Sequence, residues 1–280
     1  MTNKSTTTPK PSPKYRRPLN NYQIQLLQTL YKFRFATTHL IAKSQGSKYP
    51  RVILARLRVL VDQDYIGQNY DKSYKIKGKP ATYYLRPNAV RYFKQQPYAS
   101  PKVLKSIYQD KRANKDQIAH YLHVFSVYVE FKRLYPEEFK FFSKSELAER
   151  KGMPERMPDA YLHRTVTSHT QANDYFLDSY EEATYYLVIQ RKIRQYIKYA
   201  EDETWQNHTN RKLPTMLIVC ETKALQRQML RLAAKELDKT YVDLKFLATT
   251  TEALVSSQSK KELIWRNASE PEESTSLDYT

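Results

Sequence analysis

Residues 20–62 read NNYQIQLLQTLYKFRFATTHLIAKSQGSKYPRVILARLRVLVD, and this stretch decides the fold of the first half of the chain. Apolar residues recur at helical spacing from Ile24 to Tyr31, behind a capping residue at Asn20. This pattern predicts a first helix that ends near Arg34.

Two further short helices are predicted in the same stretch. Thr37 or Thr38 can cap the second helix, which stops near Gly46. The third begins after Ser47, with Pro50 in its first turn, where a missing N–H costs little. The third helix has an apolar face of Ile53, Leu57, Leu60 and Val61, and an opposite cationic face of Arg51, Ala55 and Arg58.

A hairpin and a closing helix follow the third helix. Two β-rich runs, the second at 81–86, flank a loop that is rich in lysine, and residues 87–96 then have a helical pattern. The order helix, helix, helix, hairpin, helix is that of a winged helix-turn-helix, which we predict for residues 20–96.

The second half predicts an α/β domain with a mixed sheet at residues 119–266, so the chain as a whole belongs to the α+β class. A long apolar helix follows residue 118, and strand patterns then alternate with helical ones. Strands are predicted at 139–143, 158–163, 165–171, 175–180, 215–220, 243–248 and 262–266, and helices at 182–203, 223–237 and 251–257.

Three segments lack the apolar residues that a core needs. The arm at 1–19 has five bases and no acid, and the tail at 267–280 has four acids and no base. Both are predicted to be disordered. Residues 97–118 are polar and basic with weak periodicity, and we predict a linker with some helix there.

The basic residues are concentrated in the first half. The chain has 47 Lys and Arg against 29 Asp and Glu, a net charge of +18. Residues 1–118 hold 24 bases and 5 acids, whereas residues 119–280 hold 23 and 24. Such asymmetry indicates a nucleic-acid-binding module joined to a domain with another task. An anionic membrane surface is the competing partner, but the sequence shows no basic amphipathic helix with a strong apolar face that could anchor there.

Double-stranded DNA is the predicted partner of the first half, and a charged face used for protein contacts is the alternative. A helix such as the third one fits the major groove, where arginines reach phosphates or guanine edges. Lysines of the hairpin loop and arginines of the arm can reach the backbone or the minor groove. The predicted DNA-binding residues are Arg51, Arg56, Arg58, Lys72, Lys75, Lys77, Lys79, Arg16 and Arg17.

The run at 20–46, the arginine-rich third helix and YYLRPNAVRYF resemble the N-terminal part of the replication-relaxation family of plasmid and mobile-element proteins. HYLHVFSVYVEF resembles the family's H-x-L-x-V-x-x-V-Y-V segment, with His120 at its histidine. PDAYL and YFLDSYEEA resemble its P-D-A and F-L-E-x-D strands. The resemblance spans residues 20–235 and implies a winged helix followed by a restriction-endonuclease-like domain.

The restriction-endonuclease-like pattern is an acid on a helix, then P-D, then [D/E]-x-K, then a helix. Asp159 takes the P-D position, Asp178 the [D/E] position, and Glu130 is the helical acid by order. The expected lysine is replaced by Tyr180, so the site is complete only if Lys192 on the following helix reaches in. A complete site would hold Mg²⁺ at Asp159 and Asp178. We expect no cofactor otherwise.

Other classes of chemistry are excluded or disfavoured. His120 and His123 lie three apart on one helix but lack a third metal ligand nearby, so we interpret His120 as a hydrogen-bonding residue at the domain interface. Four glycines cannot assemble a phosphate-binding loop. The single Cys220 fits a reducing compartment, and the sequence has no membrane-spanning run, so we expect a cytoplasmic protein.

These patterns predict a DNA-binding protein of a plasmid or mobile element that acts in replication or relaxation, with a non-catalytic nuclease-like domain. Replication or mobilisation proteins are further candidate partners, and no particular oligomeric state is indicated. Two alternatives stay open: a Mg²⁺-dependent DNA endonuclease or nickase, and a winged-helix transcriptional repressor of copy number.

Overall fold

The computed structural model describes residues 18–70, 78–165 and 173–278, and these form one three-stranded and one seven-stranded sheet with helices packed around them. The predicted arm lies outside the described residues as far as residue 17. Five predicted DNA-binding residues therefore also lie outside them, namely Arg16, Arg17, Lys72, Lys75 and Lys77.

The first half has the predicted order of helices and hairpin, with one short strand added. That strand, β1, pairs with β3 in antiparallel register, and β3 pairs with β2 on its other side. The elements are α1 (Asn21–Phe33), β1 (Phe35–Thr37), α2 (Thr38–Ser44), α3 (Pro50–Asp62), β2 (Ile66–Asn69), β3 (Thr82–Leu85) and α4 (Pro87–Phe93).

Local side-chain chemistry sets the ends of these helices. The Asn20 side chain accepts a hydrogen bond from the backbone N–H of Gln23, and the Gln23 side chain accepts one from Asn20, so α1 begins with a capping box. Arg34 ends α1 with a φ of 66°, in the left-handed region. Thr37 caps α2 through the N–H of Leu40.

Glycine is required at position 67 in the hairpin. Gly67 lies opposite Tyr84 on the neighbouring strand, and a Cβ added there would lie 2.3 Å from the Tyr84 ring. The hairpin can therefore keep the tyrosine ring against its backbone only if no side chain is present at this position.

Residues 97–118, predicted as a linker, are instead folded. They contain α5 (Pro101–Ile107) and a 3₁₀ turn (Asp110–Arg112), and Val103, Leu104 and Ile107 are buried. Asp110 is buried as well, because it pairs with Arg34 through two hydrogen bonds. The weak periodicity of this segment reflects a helix of only seven residues.

The second half contains the predicted mixed sheet, and the α+β class is confirmed. The strand order is β10-β9-β8-β7-β6-β5-β4, with β6, β7 and β8 parallel to one another and the remaining pairs antiparallel. The strands are β4 (Phe139–Ser143), β5 (Ala160–Arg164), β6 (Asp174–Tyr180), β7 (Thr215–Cys220), β8 (Phe246–Thr250), β9 (Trp265–Asn267) and β10 (Ser274–Thr275).

Helices cover both faces of this sheet. The helices of this half are α6 (Lys115–Leu134), α7 (Lys144–Leu147), α8 (Tyr186–Glu201), α9 (Thr204–Thr209), α10 (Lys223–Leu237) and α11 (Thr251–Ser256).

No helix among the described residues has the length and apolar character needed to cross a membrane.

One hydrophobic core runs from the first half into the large sheet. It joins residues of α1 to α6 and to one face of the sheet, and Phe33 stacks on Phe125 with ring centroids 4.2 Å apart. A second core lies on the other face, where α8 and α10 pack. The first half and α6 therefore cover one face, and the pair α8 and α10 covers the other.

The acidic tail, predicted to be disordered, is ordered as far as residue 278. Residues 274–275 form β10 at the sheet edge, and Leu277 is fully buried. Asp278 pairs with the buried Arg164, which also pairs with Glu138. The acids of the tail were expected to be solvated, but one of them compensates a buried arginine, and the tail contains an apolar residue that the core takes up.

Candidate functional site

Two aspartates meet where β5 begins and β6 ends. Asp159 directly precedes β5, and Ala160 pairs with Leu177, so Asp159 lies beside Asp178. The backbone N–H of Asp159 donates to Asp178 Oδ1 over 3.2 Å, and that of Ser179 donates to Asp159 Oδ2 over 3.0 Å. The antiparallel register thus brings together the two carboxylates of the predicted metal site.

Helix α8 supplies a lysine and a tyrosine to the second aspartate. The Tyr196 hydroxyl donates to Asp178 Oδ2 over 2.7 Å, and Lys192 Nζ lies 3.5 Å from Asp178 Oδ1. Lys192 also donates to the carbonyls of Arg156 and Met157, at 2.7 and 2.6 Å. The lysine is therefore held in place by the loop that precedes β5.

The pKa values of the two buried carboxylates shift in opposite directions. Burial and the neighbouring Asp159 raise the pKa of Asp178, although Lys192 opposes this. Burial also works against the charge of Asp159, but its hydrogen bond to His120 is strong enough to lower the pKa. Two adjacent negative charges in a buried site repel each other, which moves the pKa values of close carboxylates apart.

His120 at the beginning of α6 bridges two acids. Its Nε2 lies 3.0 Å from Asp159 Oδ1, and its Nδ1 lies 3.0 Å from Glu181 Oε1. Burial lowers the pKa of His120, but the hydrogen bonds to both carboxylates outweigh it and raise that pKa to about 10. Burial likewise opposes the charge of Glu181, yet its pKa falls to about 2 because His120 and His123 bond to it. His120 is therefore an imidazolium at neutral pH.

His123, one turn further along α6, is held by three side chains. Its Nδ1 lies 3.0 Å from Ser179 Oγ and 3.4 Å from Glu181 Oε1, and its Nε2 lies 2.8 Å from Thr251 Oγ1. The pair His120 and His123 thus faces Glu181 together, and each has partners other than a metal ion.

Tyr180 occupies the position where the nuclease pattern requires lysine. Its side chain is buried in the core beneath α8, and burial raises the pKa of its hydroxyl well above the usual range. It therefore contributes no positive charge to Asp178. That charge comes from Lys192, which reaches Asp178 from the following helix.

Protein groups already contact both carboxylates where the pattern would place Mg²⁺. All four carboxylate oxygens of Asp159 and Asp178 have protein partners. Those of Asp159 contact His120 and a backbone N–H group, and those of Asp178 contact a backbone N–H group, Lys192 and the Tyr196 hydroxyl. Within 18–70, 78–165 and 173–278, no three or more His, Cys, Asp or Glu side chains form a group that could hold a metal. The imidazolium of His120 already lies between Asp159 and Glu181, where a cation would balance both charges.

Glu130, the helical acid chosen by order, lies elsewhere. It pairs with Arg133 over 2.7 Å and lines a different cavity, beside Lys43 of α2. Ten residues along one helix correspond to about 15 Å, which separates it from the cleft. His120, previously interpreted as a residue between the two halves, is the residue that α6 places at the aspartates.

An open cleft of about 630 Å³ gives access to this cluster. His120, Asp159, Asp178, Glu181, Lys192 and Lys144 line it. Sequence reasoning missed Glu181 and Lys144. The available signal for Glu181 was its place three residues after Asp178, at the end of the same strand. No sequence signal pointed to Lys144, because it follows a different strand, β4.

The predicted DNA-contacting side chains that the structure describes are accessible. Arg51 and Arg58 of α3 are exposed, and so is Lys79 after the hairpin loop. Arg56 is half-buried, with its guanidinium carbon 4.1 Å from the centre of the Tyr22 ring. Ile53, Leu57 and Leu60 are buried on the opposite face of α3.

Comparison with known proteins shows one family, and weak structural similarities that include two structures of one enzyme. The model of the Replication-relaxation family matches residues 27–213. Restriction endonuclease FokI bound to DNA is similar over 83% of this chain and 43% of its own, at 11% identity and a TM-score of 0.31. FokI without DNA is similar over 83% and 42%, at 14% identity and a TM-score of 0.32. This chain thus spans less than half the length of those chains, and no curated protein matches it.

Proposed function

Because the chain belongs to the replication-relaxation family, we propose that it acts in replication by binding double-stranded DNA through its first half, in the manner of a winged helix. The nuclease-like site of the second half then serves as a structural platform without catalysis. A plasmid or another mobile element is the genetic setting that this proposal assigns to it.

The observation that supports DNA binding is the exposed face of α3. This face presents Arg51, Ala55 and Arg58 to solvent, and Val52 and Val59 beside them are also exposed. Short side chains allow a helix to approach base edges closely, while the arginines reach guanines or phosphates. The helix is supported from behind by α1 and packs against β2, so the hairpin lies next to it.

Arginine substitutions in the full-length chain test this proposal. We expect Arg51→Ala/Arg58→Ala to weaken binding to duplex DNA about tenfold or more and to reduce the salt dependence by about two phosphate contacts. Arg112→Ala/Lys115→Ala is the matched control, because it removes two exposed charges outside α3. Equal affinity of the two variants, measured by fluorescence anisotropy at several salt concentrations, would exclude α3 as the contact.

The absence of catalysis is proposed because His120 and Lys192 already neutralise the carboxylates. Purified protein should leave supercoiled, linear and single-stranded DNA intact in Mg²⁺ or Mn²⁺. An endonuclease is the second candidate, and the ion pair of Lys192 with Asp178 favours it, because it restores a lysine at the aspartates. Metal-dependent cleavage that is lost in Asp159→Ala and Lys192→Met, but kept in Tyr180→Phe, would establish the endonuclease.

A further inference from the structure

A second basic surface lies on the outer side of α8 and α10. Both helices bury one face against the large sheet, with Ile189, Ile193 and Tyr196 on α8 and Leu225 and Met229 on α10. The two helices also contact each other. Their outward faces therefore form one continuous layer, on the side of the sheet away from the first half.

Basic residues are the commonest exposed residues of this layer. The two helices contain eight Lys and Arg and two Glu, although the second half as a whole has slightly more acids than bases. Positive charge is thus segregated onto this layer. The exposed bases are Arg191, Arg194 and Lys198 on α8, and Lys223, Arg227, Arg231 and Lys235 on α10.

Of the two acids of the layer, only Glu236 pairs with one of these exposed bases, Arg194. Glu236 is buried and is shared by Arg194 and Lys239, at 3.0 and 2.9 Å. Glu201 is exposed and accepts a hydrogen bond from Thr240.

The spacing on α10 disfavours a purely structural role. Its four exposed bases follow one another at intervals of four residues, so each lies one turn from the next. Like charges at this spacing destabilise a helix, whereas alternating Glu and Lys would stabilise it. Lys223 has a long, fully solvated ion pair with Glu252 at 3.5 Å, which compensates little. A polyanion bound along the row would remove the repulsion.

We propose that this α8–α10 surface binds the phosphate backbone of a second DNA segment. A step of four residues is about 6 Å along a helix, so the row on α10 extends over about 18 Å, the length of several consecutive phosphates on one strand. No large apolar residue is exposed between the bases along α10, as one would be on a helix that inserts into a membrane surface. The exposed large apolar residues of α8, Tyr186, Leu187 and Val188, are confined to its first turn, away from the row of bases. DNA backbone is therefore the favoured polyanion.

The position of the surface suggests what the second segment does. The first half packs on one face of the large sheet and α8 and α10 pack on the other, so α3 and the α8–α10 surface lie on opposite sides of the molecule. One molecule can then hold two duplex segments together. This bridging step depends on the proposed DNA binding by α3, whereas the α8–α10 surface itself does not.

Arg227→Gln/Arg231→Gln in the full-length chain is the decisive variant, and Lys140→Gln/Lys261→Gln is its control, since it removes two exposed charges outside α8 and α10. Two measurements are needed: anisotropy of a labelled duplex, and retention of a fluorescent duplex on beads that bear another duplex. In the Arg51→Ala/Arg58→Ala background, Arg227→Gln/Arg231→Gln should lower the affinity that remains for duplex DNA about tenfold. In the natural background it should abolish retention and leave binding of one duplex nearly intact.

Other outcomes distinguish failure of the α8–α10 proposal from failure of the α3 proposal. If Arg227→Gln/Arg231→Gln behaves like its control in both measurements, the α8–α10 surface does not bind DNA, and any bridging comes from two copies that each use α3. If Arg51→Ala/Arg58→Ala has no effect but Arg227→Gln/Arg231→Gln removes all binding, the proposed role of α3 fails and the second surface stands. Loss of binding to phosphatidylserine vesicles with unchanged DNA binding would assign the surface to a membrane and overturn the proposal.

Discussion

Lys192 of α8 lies 3.5 Å from the carboxylate of Asp178 in β6, so the positive charge at this aspartate comes from the following helix and not from the same strand. The strand position that would have supplied it is occupied by Tyr180, whose ring belongs to the core. Moving the charge to α8 leaves the tyrosine free to pack, while the aspartate keeps a cationic neighbour.

Removal of this lysine should destabilise the fold. In Lys192→Met, Asp178 stays buried beside Asp159 with one cation fewer, which we expect to lower the free energy of unfolding by about 2–4 kcal/mol. Lys198→Met on the exposed side of the same helix should change it by less than about 0.5 kcal/mol. Urea denaturation of the two variants measures the difference. A loss as small as that of Lys198→Met would mean that the ion pair is not maintained in solution.

The bridging histidine should make stability depend on alkaline pH. Its pKa is raised from 6.5 to about 10 in the folded protein, so the stabilisation is complete below about pH 6.5 and is lost as the pH rises towards 10. His120 is partly exposed, and solvent screening should limit the loss to about 2 kcal/mol. His120→Gln should lack this part of the decrease. Parallel curves for both proteins from pH 6.5 to 10 would show that His120 is not charged in the folded state.

The buried pair Arg34–Asp110 should fix the segment after α5 to the end of α1. Arg34→Met leaves the Asp110 carboxylate without its two hydrogen bonds, and we expect a loss of about 3–5 kcal/mol. Arg34→Met/Asp110→Asn should recover part of it, because the uncompensated charge is gone. Thermal unfolding compares both with Arg112→Met on the exposed surface. A double variant less stable than Arg34→Met would contradict this explanation.

The ordered C-terminal residues give a simple test. Leu277 is fully buried, so Leu277→Ala should lower the free energy of unfolding by about 2–4 kcal/mol. Glu272→Ala, in the exposed turn before β10, should have almost no effect. If the tail were disordered, as its acids suggested, both substitutions would be silent in chemical denaturation.

Periodic segments were predictable from the sequence, whereas contacts between distant residues were not. The predicted limits 215–220 and 223–237 coincide with β7 (Thr215–Cys220) and α10 (Lys223–Leu237), because a continuous apolar run and a long amphipathic helix give strong signals. The three residues of β1 are too few to show an alternating pattern, and their strand exists only through pairing with β3.

The candidate site was predictable as far as the two aspartates. Asp159 and Asp178 were placed together by the P-D and [D/E] positions, and antiparallel pairing joins them. Glu130 was chosen by order along α6, but the face and height of a residue on a helix depend on how the helix packs. The residue of α6 that reaches the aspartates in the cleft is His120. The prediction of a disordered tail was wrong for a similar reason, since the number of acids does not show that one of them pairs with the buried Arg164.

The stack of Phe33 on Phe125 joins the first half to α6, the helix that also contains His120. Phe125 lies between the first half and the sheet, and His120 lies about one and a half turns earlier on the same helix, inside the cleft. A tilt of the first half that α6 followed would move His120 relative to Asp159 and Glu181. If DNA binds at α3 as proposed, a force that it exerts on the first half would reach those two hydrogen bonds through α6, because Phe125 and His120 lie on the same uninterrupted helix.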